Sequence, residues 1–280
     1  MQEFKNGKYI GERALFNTED ALIVDSVFED GESPLKESKN LKIFNSVFRW
    51  KYPLWYCQNV FVHESILEET ARSGIWYTDN ISMRDCKIDA PKTFRRSSNI
   101  NLDNCTLNNA LETLWNCKKI KLLNIKVEGD YFGMNSEDIE ANNLIINGNY
   151  AFDGAKNVYL KNCILYTKDA FWNCENVKIE DSVIVGEYLS WNTKNITFIN
   201  CKIESHQGLC YMENVTLINC ELNNTDLCFE FCKNIDATIV SAIDSVKNPI
   251  SGKIKAKEIK ELILDKQVID PNKTKIEILK

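Results

Sequence analysis

The chain repeats itself with a period of about 20 residues, and no other feature limits its fold as tightly. The stretch "KDAFWNCENVKIEDSVIV", from Lys168, is echoed one period later by "EYLSWNTKNITFINCKIE", from Glu187. With the leading Asn or its equivalent as position zero, units start at Asp20, Asn40, Asn59, Asn80, Asn99, Lys119, Asp138, Asn157, Asn176, Asn195, Asn214 and Asn234, at nearly constant spacing. A period of that length marks a solenoid, in which no unit buries its own apolar face and neighbouring units bury it instead.

Within a unit, apolar residues stand at +1 and +3, as in Ile100 and Leu102 or Val158 and Leu160. That alternation is a short strand with one buried face. Position +5 holds Asp25, Asn45, Asp85, Asn104, Asn124, Asn162, Asp181, Asn200 or Asn219. These residue types tolerate the left-handed backbone and predict a corner. Small residues follow at +6 (Ser46, Cys86, Cys105, Cys163, Cys201, Cys220), and an apolar one returns at +8. The pattern predicts a right-handed parallel β-helix of about 12 coils. A leucine-rich-repeat-like solenoid is the alternative, because the apolar and Cys spacing fits that repeat too. Against it, the motif's preceding leucine is replaced by Cys57, Thr78, Ser97 and Cys117, and so short a period leaves little room for a convex helix. The reading is a single domain over 1–280. Residues 1–19 are a cap and partial first coil, 20–236 the regular coils, and 237–280 the closing turns.

The other half of each coil carries the candidate chemistry. Position -5 is mostly large and apolar, such as Leu54, Ile75 and Phe171, so -4 should point outward. There lie Trp55, Trp76, Arg95, Trp115, Asp153, Trp172 and Trp191, five of the six tryptophans among them. A parallel file at -7 includes Tyr131, Asp169, Tyr188 and Glu112, and Arg96 stands at -3. Flat aromatic faces beside carboxylates and amides suit a sugar, whose C–H faces they cover and whose hydroxyls they bond. The ligand-binding candidates are therefore Trp55, Trp76, Arg95, Arg96, Trp115, Tyr131, Trp172, Tyr188 and Trp191. Stacking between coils is the structural alternative for the same rings. Carboxylates on adjacent coils fall within the range used to hydrolyse glycosides, which makes Asp153, Asp169, Asp130, Glu112 and Glu187 the catalytic candidates. Solvated surface charge is the plainer reading of those acids. The arginines, with Lys92, form a patch suited to a uronate or phosphate.

Other chemistries find less support. Net charge is -6 and no basic run occurs, so nucleic acid is not an expected partner. No apolar run approaches the roughly 20 residues of a membrane span. The two histidines, His63 and His206, are far apart in the repeat, and no cofactor or metal site is expected. Eleven cysteines, an odd number, fall largely at fixed repeat positions and read as reduced core residues. The start, "MQEFKNGKYIGERALF", lacks the basic flank and apolar core of a secretory signal, which makes the cytoplasm the expected location.

The stretches "GERALF", "KYPLWYC", "PKTFRR", "ETLWNC", "GDYFGMN", "KDAFWNCENV" and "DSVKNPISG", spread through nearly the whole chain, resemble a bacterial family designated domain of unknown function 3737. The resemblance implies a pectin-lyase-like β-helix and a cytoplasmic bacterial origin, and it carries over no activity. Two classes of function stand. One is a carbohydrate-active protein, a hydrolase or lyase acting on an oligosaccharide or other small polar ligand. The other is a non-enzymatic β-helical scaffold for a glycan or protein.

Overall fold

The computed structural model describes residues 1–279. The protein is an all-β parallel solenoid of about 15 turns. Two 3-10 turns, Glu69–Ala71 and Pro271–Lys273, are the only helical pieces among the described residues, so the leucine-rich alternative with its convex helices falls. Two compact units are distinguished, Met1–Leu144 and Ile145–Lys280.

In the first unit the long strand of each coil pairs in parallel with the next, always in the same register. Val60 lies opposite Ile81, Ile81 opposite Ile100, and Ile100 opposite Ile120. The second unit repeats the arrangement, with Val158 opposite Val177, Ile196 opposite Val215, and Val215 opposite Ile235, until the register shifts between Leu217 and Cys220 and again between Ile239 and Ala242 in the last coils. Constant register turns the sequence alternation into continuous columns. Ile81, Ile100, Ile120, Val158, Val177 and Ile196 are all at most 2% exposed. Phenylalanines pack ring on ring inside: Phe28 and Phe48 stack at 4.7 Å, and Phe152 and Phe171 at 5.4 Å.

Left-handed residues make the corners. All twelve position-zero residues have φ between 52° and 58°, and the +5 residues Asp25 to Asn219 lie between 46° and 55°. Asn and Asp adopt this region at the least cost among residues that carry a Cβ. Their exposed side chains also bond along the stack. Asn59 donates to Asn40 at 2.9 Å and Asn80 to Asn59 at 2.8 Å in the first unit, as Asn195 does to Asn176 and Asn214 to Asn195 in the second.

Just inside the bends the small residues do more than pack. The Ser46 hydroxyl accepts from the Ser26 amide (3.2 Å) and donates to the Phe44 carbonyl (2.8 Å), and the Ser46 amide donates in turn to Ser65. The Ser182 and Thr193 hydroxyls accept the Cys163 and Cys174 amides in the second unit. Buried thiols at the same positions donate to carbonyls, Cys105 to Asp103 and Cys220 to Ile218. A buried amide turned away from its ladder at a bend needs such a partner. All eleven cysteines are buried and unpaired.

The coil count exceeds the expected dozen because the terminal coils lose the Asn signature. Gln2–Lys5 already pairs with Ala21–Val24 ahead of the first recognised repeat. After the last, Ile235 faces Gly252, and Gly252 faces Thr274. Gly252 sits at φ 125°, and a Cβ there would lie 2.2 Å from the Ile235 carbonyl oxygen, so the position admits only glycine.

Candidate functional site

The candidate residues lie on the arc from -8 to -3, where the chain turns between strands. Two further left-handed corners shape it, one at -7 (Glu112, Tyr131, Asp169 and Tyr188, φ 51–60°) and one at -3 (Arg96, Asn173 and Asn192, φ 50–60°). Such conformations cost on the order of 1 kcal/mol or more for residues other than Gly and Asn. Coil-to-coil bonds hold them there, such as Arg96 N to the Trp115 carbonyl at 3.0 Å and Asn173 N to the Trp191 carbonyl at 2.9 Å.

The five tryptophans at -4 are half-buried, not fully outward. Each indole N–H is committed to a carbonyl of the following coil: Trp55 to Ser73 (2.6 Å), Trp76 to Lys92 (2.8 Å), Trp115 to Tyr131 (2.7 Å), Trp172 to Tyr188 (2.6 Å) and Trp191 to Gln207 (2.9 Å). Their faces are largely committed too. Trp55 stacks on Trp76 at 5.1 Å, and Trp172 on Trp191 at 5.4 Å, nearly parallel in both pairs.

In the first unit the Arg95 guanidinium lies between two indoles, 4.7 Å from the ring centroids of Trp76 and Trp115. It also reaches Glu112 at 3.1 Å, and Lys92 meets the same carboxylate oxygen at 3.1 Å. Glu112 is thus neutralised twice. Arg95 Nε is buried without a hydrogen-bond partner among the described residues. Exposed Arg96 lies over Tyr77 and meets its hydroxyl at 3.4 Å. Half-buried Asp130 belongs to the next coil, where its carbonyl accepts the Glu112 amide.

The second unit gathers three of the five acids. Asp169 is 3% exposed, and burial lifts its carboxyl above the ordinary aspartate range. The Lys168 ammonium and a hydrogen bond from Tyr150 hold that rise back, while the charges of Glu187 and Asp153 add to it. Asp153 accepts from Asn173 at 3.0 Å, and exposed Glu187 pairs with Lys168 at 3.2 Å. Trp172 follows Asp153 in the -4 file. One face of its indole lies on Trp191, and among the described residues no second ring or cation packs on it. Tyr188 sets its ring edge-on to Trp191 at 5.5 Å beneath the Lys168 ammonium. The arrangement joins one aromatic platform, one nearly buried carboxyl whose pKa is raised and two neighbouring acidic side chains.

The thiols of Cys57, Cys117 and Cys210 are unsuited to nucleophilic work. Burial pushes their pKa values up to about 12, which leaves almost no thiolate at neutral pH. Among the described residues no cluster of His, Cys, Asp and Glu has the arrangement of a metal site, and no helix is long and apolar enough to cross a membrane.

The sequence reading missed a cleft of about 340 Å³ in the first unit, lined by Trp50, Lys51, Glu69, Thr70, Arg72 and Pro91. Its signal was present, since the unit from Asn59 to Asn80 is longer than those on either side and its surplus forms the Glu69–Ala71 turn. It also missed an outward aromatic cluster on the long strands, where Phe61 lies 5.7 Å from Phe44 and 6.2 Å from His63, which bonds Asp85 at 3.1 Å.

Coils, columns and corner ladders together define a parallel β-solenoid protein with its polar and aromatic side chains displayed on the turning arc. The chain belongs to the family described as "Protein of unknown function (DUF3737)", which matches residues 2–277. No curated protein matches it. Among solved structures it is similar to PfbA, a surface adhesin of Streptococcus pneumoniae, at 14% identity over 75% of this chain and 70% of that one, with a TM-score of 0.41. It is also similar to the A-module of the mannuronan C-5 epimerase AlgE4 of Azotobacter vinelandii (7% identity, 99% and 88% covered, TM-score 0.34). A third is the tailspike protein of E. coli bacteriophage HK620, solved with a pentasaccharide (8% identity, 98% and 70% covered, TM-score 0.38). At these identities and scores the likeness is one of architecture and says nothing about chemistry.

Proposed function

We propose that this protein binds an oligosaccharide on the arc of its second unit and breaks a bond in it with Asp169 as the proton-carrying group. The observation that carries this reading is Asp169 itself, a nearly buried carboxyl in a solenoid whose other arc acids among the candidates are half-buried or exposed. A general acid must hold its proton at the working pH while its partner stays ionised, and environments that push two carboxyls apart achieve this. Burial favours the proton on Asp169, and Asp153 and Glu187 are the available partners. The Trp172 face beside Asp153 is the platform for the sugar's C–H face.

A second reading is favoured by the aromatic file. With every -4 indole N–H bonded to the next coil and the rings stacked, the file stabilises coils, and the protein is a scaffold for a glycan or protein. Glycan-array binding, with product analysis on any hit, separates the two. Asp169→Asn keeps a residue type that tolerates the left-handed corner. It should retain binding and abolish product if bond breaking is correct. Binding without product in the unaltered protein leaves the scaffold, and no glycan bound at all ends the saccharide reading.

A further inference from the structure

We propose that the cleft of the first unit is a binding site for a small ligand made of a ring with an apolar face, one anionic group and nearby hydroxyls. The proposal stands apart from the acid cluster of the second unit and survives if that reading fails. Three features of the cleft set it off from the rest of the surface.

The first is Trp50. The five arc tryptophans all commit their N–H to a carbonyl, whereas the half-buried Trp50 makes no hydrogen bond among the described residues. Trp50 lines the cleft, and its donor is uncommitted. The second is Arg72. Arg13, Arg49, Arg84 and Arg95 each pair with a carboxylate, and Arg96 meets the Tyr77 hydroxyl. Arg72, exposed at the cleft, has no side-chain partner among the described residues. An unpaired guanidinium offers a bidentate fork to a carboxylate or phosphate. The third is that the cleft is built. The inserted Glu69–Ala71 turn forms one wall, and the Thr70 hydroxyl donates to the Arg49 carbonyl, tying that wall to the residue before Trp50. The cleft's volume falls at the lower end of the range for small-molecule sites.

The charges around it select the ligand. Lys51 lies 5.2 Å from the Trp50 ring centroid and pairs with Glu32 at 3.2 Å, so its charge is spent. Arg72 is left to bind the anion, and Glu69, without a side-chain partner among the described residues, is left to accept hydroxyls. Trp50 and Pro91 supply apolar surface for the ring, and the free indole N–H meets a ring oxygen or nitrogen. A uronic acid and a nucleoside monophosphate share this chemistry.

The test is a titration of the full chain followed by the six indole N–H resonances in nitrogen-15 NMR, with Trp50 assigned by its loss in Trp50→Phe. Glucuronate is compared with glucose, and uridine monophosphate with uridine. The anionic member of one pair should shift the Trp50 resonance at a concentration at least tenfold below that of its neutral counterpart. The pair that responds names the source of the ligand. Arg72→Gln should weaken the response at least tenfold while leaving the other five indole resonances in place. The proposal is overturned if neither anion shifts Trp50 by tens of millimolar, if neutral and charged partners act alike, or if Arg72→Gln changes nothing.

Discussion

Replacing Trp172 with alanine should destabilise the second unit by about 4 kcal/mol, as losses of hydrogen bond, stacking and burial together. The indole N–H bond to the Tyr188 carbonyl contributes about 1 kcal/mol. The face shared with Trp191 at 5.4 Å adds about 1 kcal/mol beyond burial. The ring is half-buried, which removes on the order of 100 Å² from water and is worth about 2–3 kcal/mol. Trp172→Phe keeps most of the stacking and loses the N–H bond, so it should cost about 1–2 kcal/mol. Urea unfolding of the three proteins, followed by far-ultraviolet circular dichroism, measures the series. An alanine variant within about 1 kcal/mol of the parent would show that the ring holds nothing between coils and that its hydrogen bond is worth little in solution. The phenylalanine variant is accordingly the one to use in binding experiments.

Three further outcomes follow from the same geometry. Ser46→Ala should cost about 2–3 kcal/mol, because it strands the buried Ser26 amide, whereas Ser46→Cys should cost under about 1 kcal/mol; equal midpoints in urea would contradict the bonding role of this file. Asp169 has a raised pKa in the folded protein, so its contribution to stability is fully present below the unfolded aspartate value and is lost as pH climbs through the folded one; Asp169→Asn should therefore gain on the parent as pH rises above the unfolded value of about 4, and a constant difference refutes the shift. Native protein should leave all eleven thiols unreactive to a bulky disulfide reagent, and denatured protein should release all eleven; rapid labelling of Cys86 or Cys105 in the native state would show that the bend opens.

The columns were legible in the sequence because each residue's surroundings are copies of itself one coil away. Ile100, Leu102 and Leu107 needed only local alternation to be placed inside, and Asn104 or Asp181 only backbone preference to be placed at a corner. Where the copies end, legibility ends: Gly252 and Thr274 sit in register but carry no Asn signature. The arc was harder. Its -7 corners are left-handed at Tyr131, Glu112 and Asp169, positions that no shared residue type marks, so the near-complete burial of Asp169 had no local sign. The indoles were placed correctly on the arc, but their N–H groups reach carbonyls 16 to 18 residues on, a relation that depends on how one coil seats on the next. The cleft at Trp50 was readable in principle from the longer unit that makes its wall.

Pairing of each strand with the coil next to it governs how the chain acquires its structure. Val60 pairs with Ile81, and Ile81 with Ile100, so each strand meets a partner only one coil away in the sequence. For a chain of this length that separation corresponds to a relative contact order of about 0.07, the level of helical bundles and well below that of most sheet proteins. A coil emerging from the ribosome needs only its predecessor as a template, and lengthening the chain adds no longer loop to close. Deleting one whole coil from the second unit should therefore leave the refolding rate in stopped-flow experiments nearly unchanged. An insertion of half a coil, which throws every later partner out of step, should slow it sharply. In this protein sheet formation is a short-range process, repeated.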